Sequence, residues 1–138
     1  MTKHPLIRRL LGLGLPHGDW ALFGSGPLLL RGWIDEVGDL DVISRGATWE
    51  QAKELGELGR LQPDGAETVN IDGSTITIGT SWRYIEVSID ALIDQAEEID
   101  GIPCVCLEHI IAYKRIADRP KDRGHLAVIE EHLAGGDR

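Results

Sequence analysis

The sequence predicts an α/β (α+β) fold: one mixed β-sheet with helices packed on one face and the other face left for a polar site. Three observations lead there. From Asp19 onward, short apolar runs alternate with segments of helical period. Trp20-Ala21-Leu22-Phe23 runs straight into Gly24-Ser25-Gly26, a buried strand entering a glycine turn. Residues Glu67 to Ile78 alternate apolar and polar around an Asp-Gly dipeptide, which is the pattern of a hairpin.

The elements follow in order. Leu6, Ile7, Leu10 and Leu11 repeat at helical spacing, giving a short amphipathic helix that ends near Gly12 and Gly14, with Pro16 beyond. Arg8 and Arg9 interrupt its apolar run and no small-residue cleavage site follows, so it does not read as an export signal. After the Trp20–Phe23 strand, Pro27 starts a helix carrying Leu28 to Arg31. Asp39 to Ser44 is a second strand. Thr48, Glu50 and Gln51 introduce a helix through Leu58 that Gly59 closes. In the hairpin, Asp72-Gly73 is the two-residue turn. Pairing Ile71 with Ser74 puts Val69, Ile71, Ile76 and Ile78 on one face, and Thr68, Asn70, Thr75 and Thr77 on the other. Trp82 to Ile89 alternates as a further strand, Ile89 to Ile99 reads as an acidic helix, and Ile102 to Cys106 as a short edge strand. Leu107–Ile116 and Pro120–Leu133 are two closing helices.

At 138 residues, the chain is the length of one domain with a real core, so residues 1–138 form a single unit. Its formal net charge of -9 repels phosphate polymers and anionic membrane surfaces, which argues against bulk nucleic acid or a membrane as partner. Any phosphate it handles must be met locally. Cys104 and Cys106 alternate with Val105 at a spacing that suits neither a disulfide framework nor a zinc knuckle, and this predicts reduced thiols in a cytoplasmic protein.

The chemistry concentrates at two places. Asp39 and Asp41 are two residues apart on a strand, so their carboxylates stand on one face roughly 7 Å apart while Leu40 and Val42 face the core. Two ionised carboxylates so close need solvent or a divalent cation, and hard oxygen donors suit Mg²⁺. A bare Asp-x-Asp is also what a solvated strand end looks like. The upstream turn adds weight, because Gly24-Ser25-Gly26 offers backbone N–H groups, a helix start and a hydroxyl to a phosphate. Leu29 stands where a dinucleotide fingerprint wants its third glycine and no Walker lysine follows, so neither of those phosphate-binding motifs is present.

Leu22-Phe23-Gly24-Ser25-Gly26, then Arg31-Gly32, then Gly38-Asp39-Leu40-Asp41-Val42 resembles the signature of the nucleotidyltransferase superfamily with the DNA polymerase β fold. The spacing is similar to that of small bacterial and archaeal members, including minimal nucleotidyltransferase antitoxins and relatives of antibiotic nucleotidyltransferases. Ile99-Asp100-Gly101-Ile102-Pro103, Leu107-Glu108, Tyr113-Lys114-Arg115 and Arg119-Pro120-Lys121-Asp122 look like the closing helices of those proteins, so the resemblance spans nearly the whole domain. It implies that Gly24 and Ser25 hold a nucleoside triphosphate, ATP or another NTP, and that Asp39 and Asp41 bind one or two Mg²⁺ (or Mn²⁺) ions. It implies transfer of a nucleoside monophosphate to a hydroxyl of a small molecule or a partner protein. Active members carry a third acidic residue on a later strand. The hairpin offers Thr75 and Thr77 there, which leaves Glu86 as candidate third ligand or base, or as a surface glutamate on an edge strand. Without that third acid the chain is a catalytically inactive nucleotide-binding or antitoxin-like module. By the same resemblance, a homodimer or a toxin-like partner completes the cleft.

Lys114 falls in the apolar stripe of Leu107, Ile110 and Ile111, where an ammonium needs a partner. It reaches either a phosphate or site carboxylate, or Asp122 on the next helix. Arg119 or Lys121 can steer an anionic nucleotide, while Arg115 and Arg123 read as a solvated face. His125 and His132 lack a third ligand of suitable spacing and read as surface histidines. Trp20, Trp33, Trp49 and Trp82 read as core or rim packing, with Trp82 and Tyr84 also able to stack a base.

Overall fold

The structure, a computed structural model of the chain, describes residues 4–16, 18–60, 67–73, 75–80 and 87–135. These form helices α1 (Pro5–Gly12), α2 (Gly26–Leu30), α3 (Gly46–Ala52), α4 (Ile89–Asp94), α5 (Leu107–Ala117) and α6 (Pro120–Ala134). The strands are β1 (Trp20–Phe23), β2 (Leu40–Ser44), β3 (Glu57–Arg60), β4 (Glu67–Ile71), β5 (Ile76–Gly79), β6 (Glu97–Ile99) and β7 (Ile102–Cys104). One mixed sheet has the order β3-β4-β5-β2-β1-β7-β6, with β2–β5 and β1–β7 parallel and the other pairs antiparallel. The α/β class and the mixed sheet are those the sequence predicts.

Alternation along β1 sorts the core. Trp20 and Leu22 join Leu40, Val42, Val69, Ile71, Ile76 and Ile78 on one face, under Ile7 and Leu10 of α1 and Ala52 of α3. Ala21, Phe23 and Ile43 lie on the other, with Leu92 and Ile93 of α4 and Ile110 and Tyr113 of α5. Helices therefore contribute apolar side chains to both faces, not to one face as the sequence predicts, and Asp41, paired with Phe23 in the β1–β2 ladder, shares its face with α5 rather than with an open face. A third cluster, Leu28, Trp33 and Ile129, joins α2 to α6.

Four local expectations are corrected. The helix predicted through Leu58 stops at Ala52, and Glu57–Arg60 is an edge strand. Gly56 and Gly59 explain it: a Cβ on Gly56 would lie 2.4 Å from the Asn70 carbonyl oxygen and one on Gly59 2.7 Å from Asn70 Nδ2, so glycines let this segment lie directly on β4. Leu55 and Leu58, which mimicked a helical stripe, are exposed. Asp72-Gly73 lies in a four-residue connection, since Ile71 pairs with Ile76 rather than with Ser74. That shift of two leaves the predicted faces intact. The true two-residue Asp-Gly hairpin is Asp100-Gly101, both at positive φ, with Ile99 paired to Ile102. The predicted acidic helix consequently ends at Asp94, Glu97–Ile99 forms the sheet edge, and Ile102–Cys104 lies inside that edge. Ser88 begins α4 by accepting the Ala91 N–H at 3.1 Å, so Ile89 is helical. Residues 82–86 of the predicted strand, which include Tyr84 and Glu86, lie outside the described residues.

Both cysteines are free thiols, Cys104 buried in the core and Cys106 half-buried before α5. Among the described residues no helix is long and apolar enough to cross a membrane.

Candidate active site

Strand β1 delivers Gly24 and Ser25 to one end of the sheet, and β2 starts beside them with Asp39 and Asp41. Gly24 has φ +68, which favours glycine, and a Cβ there would come 3.0 Å from Asp41 Oδ2, so the turn and the acid lie in close contact. Asp41 thus points at the turn. Asp39 lines a cleft of about 220 Å³ together with Ser25, Glu36, Val37, Gly38, Lys121 and His125. Asp39 and Ser25 border this space, and Asp41 packs behind them against Gly24.

The α2 helix contributes little field, because it is five residues long and Pro27 in its first turn has no N–H. Side chains from α5 and α6 supply the positive charge instead. The Lys114 ammonium, 1% exposed, donates to Asp122 Oδ1 at 3.2 Å and to Ser25 Oγ at 3.0 Å, and lies 3.1 Å from His125 Nδ1. Asp122 also accepts from Arg119 Nε at 2.6 Å and from the Arg119 backbone N–H at 3.1 Å. Burial pushes the Asp122 carboxyl up, but the hydrogen bonds from Arg119 and Lys114 outweigh it and bring it down to about 2. Burial likewise lowers Lys114, against the pull of Asp122. Arg119 Nη2 meets the Tyr113 hydroxyl at 3.4 Å, and the Tyr113 ring lies 5.0 Å from Phe23, the residue before the turn. This chain of contacts fixes the two closing helices against β1.

Of the two roles weighed for Lys114, the pair with Asp122 is made, and the same ammonium holds Ser25. Lys121 lines the cleft, whereas Arg119 is committed to Asp122. Arg123 pairs with Asp118 at an exposed position. His132 stacks on Trp33 with ring centroids 4.5 Å apart, but His125 enters the cleft. The available signal for His125 was its position three residues after Asp122, one turn along the same helix side. Thr77 is the β5 partner of Asp41, and it hydrogen-bonds Asn70 rather than adding a carboxylate. Among the described residues no group of three or more His, Cys, Asp or Glu side chains is placed to hold a metal ion. Glu86, the proposed third acid, lies outside those residues.

The Asp41 carboxyl is pushed up to about 6, by burial first and the Asp39 charge second, against the pull of Lys121, Arg119 and Lys114. A carboxyl raised in the folded state holds its proton in the fold after the unfolded chain has lost it, so its ionisation weakens the fold as pH rises between about 3.8 and about 6. Asp41→Asn is therefore expected to melt a few degrees higher than the parent at pH 8 in EDTA, with the gain gone near pH 4. Melting curves at the two pH values check this.

The chain adopts a nucleotidyltransferase-like fold. Among solved structures the chain is similar to a Thermotoga maritima protein provisionally described as a nucleotidyltransferase, with a TM-score of 0.60, 18% identity and coverage of 95% of this chain and 96% of that one. The fold implied by the sequence resemblance is the fold the chain adopts. No protein-family model and no curated protein sequence matches the chain.

Proposed function

We propose that the chain is a divalent-metal-dependent nucleotidyltransferase that moves a nucleoside monophosphate from an NTP to a hydroxyl acceptor. The observation that carries this reading is the meeting of opposite charges in one cleft, with Asp41 packed on the Gly24 turn and Asp39 facing Ser25, Lys121 and His125. The donor set fits a hard cation. Two carboxylates whose proximity and burial hold one of them near 6 relax when a cation lies between them, and Mg²⁺ takes one or two carboxylates plus water and phosphate oxygens. Asp39 and Asp41 would hold Mg²⁺ or Mn²⁺, which when bound neutralises charge on the reacting phosphoryl group and the departing pyrophosphate. Ser25 and Lys121 bind the phosphates, and Lys114 fixes the Ser25 hydroxyl. At about 220 Å³ the cleft suits a phosphate chain rather than a whole nucleotide, so the base and the acceptor lie toward its mouth. Glu86 takes the acceptor proton in this reading, and the free thiols suit a reducing compartment.

One observation favours a second reading. Thr77 and Asn70 occupy the ladder beside Asp41 where a third carboxylate would complete a catalytic set, which suits a chain that binds nucleotide without turning it over. Incubation with each α-labelled NTP, Mg²⁺ and cell extract separates the two. Label transfer with pyrophosphate release, abolished by EDTA, is the expected result. Metal-dependent binding without transfer supports the inactive module, and no binding of any NTP overturns both.

A further inference from the structure

His125 has a use beyond filling the wall of the cleft. Its Nδ1 is 3.1 Å from Lys114 Nζ and 3.1 Å from Ser25 Oγ. An ammonium only donates, so Nδ1 accepts and the ring proton resides on Nε2. Lys114 is then saturated: its three N–H bonds go to Asp122, Ser25 and His125. The buried ammonium has no donor left for an anion, so it acts on the cleft through the two groups it orients. Nδ1 has a single lone pair, and with Lys114 on it the Ser25 hydroxyl proton is turned to the cleft. The Nε2–H of His125 has no partner among the described residues, and the residue lines that same space. Burial and the adjacent Lys114 charge both lower the ring's affinity for a second proton, which keeps this tautomer in place.

We infer that His125 is a phosphate-binding residue, donating its Nε2–H to the phosphate chain of the bound nucleotide beside the Ser25 hydroxyl while Lys114 fixes its tautomer through Nδ1. The inference rests on the nucleotide-binding reading of the cleft. Two variants separate the ring's nitrogens, because the Asn side chain reaches the Nδ1 position and the Gln side chain reaches the Nε2 position. His125→Asn keeps an acceptor for Lys114 and loses the outer donor. His125→Gln keeps the outer donor and loses the inner acceptor. The probe is inorganic tripolyphosphate with Mg²⁺, titrated calorimetrically into the full chain and followed by ATP, CTP, GTP and UTP. His125→Asn is expected to bind tripolyphosphate about tenfold more weakly than the parent, and His125→Gln within about threefold of it. The reverse order makes His125 a structural prop for Lys114 and overturns the inference. Equal binding by the parent and His125→Asn also overturns it while leaving the nucleotide site standing. A parent that binds neither tripolyphosphate nor any NTP overturns both.

Discussion

Exchanging Asp39 and Asp41 together for asparagine is expected to lower nucleotidyl transfer by at least about a thousandfold and to remove the metal-dependent part of NTP binding. The size follows from where the charges are. Asp39 and Asp41 are the acids that the fold places beside the Gly24-Ser25 turn, and the cleft wall also carries Glu36, Lys121 and His125. Asn keeps the shape and retains one oxygen but removes the charge that would hold a divalent cation, so the loss falls on the metal rather than on folding. Thermal stabilisation by NTP, measured with Mg²⁺ and with EDTA, reports it: the parent separates the two curves and the double variant superimposes them. Stability itself should not fall, since Asp41 in its charged form works against the fold.

The second large effect is on stability. Lys114→Met is expected to cost about 3 kcal/mol of unfolding free energy, because it removes one partner from a buried ion pair and leaves Asp122, 0% exposed, with Arg119 as its remaining cation among the described residues. The Met side chain fills the same channel between α5 and α6, so the loss is electrostatic rather than a cavity. Adding Asp122→Leu to Lys114→Met should recover part of it, since replacing the whole pair by apolar groups is far cheaper than stripping one member. Urea denaturation of the parent, the single variant and the double variant measures both steps. A double variant less stable than Lys114→Met would show that Asp122 contributes mainly by holding Arg119 and the start of α6.

Much of the site was legible because its chemistry is local. The turn at Gly24-Ser25 and the strand acids each declare themselves by spacing, and both lie where the sequence put them. Lys114 was legible as an anomaly in an apolar stripe. Its full role was not, because it depends on Ser25, 89 residues away, and on a histidine whose own helix gave it no distinction. The fold was misread where local signals compete. Asp72-Gly73 and Asp100-Gly101 are the same dipeptide with the same positive backbone angles, yet only the second closes a two-residue hairpin. Thr75 decides the first: its N–H and hydroxyl both reach back to the Ile71 carbonyl, at 3.1 and 3.3 Å, which lengthens the connection. The 53–59 segment was misread because close backbone packing by Gly56 and Gly59 is a tertiary fact, while Leu55 and Leu58 copy a helical period by chance.

A metal and a triphosphate that share one cleft each make the other's site. Calorimetric titration of Mn²⁺ into the chain, alone and with saturating NTP, measures that coupling directly. The expected result is that NTP tightens Mn²⁺ binding at least about tenfold and that Mn²⁺ tightens NTP by the same factor. Mn²⁺ affinity that is unchanged by every NTP, or NTP binding that is indifferent to EDTA, would contradict it.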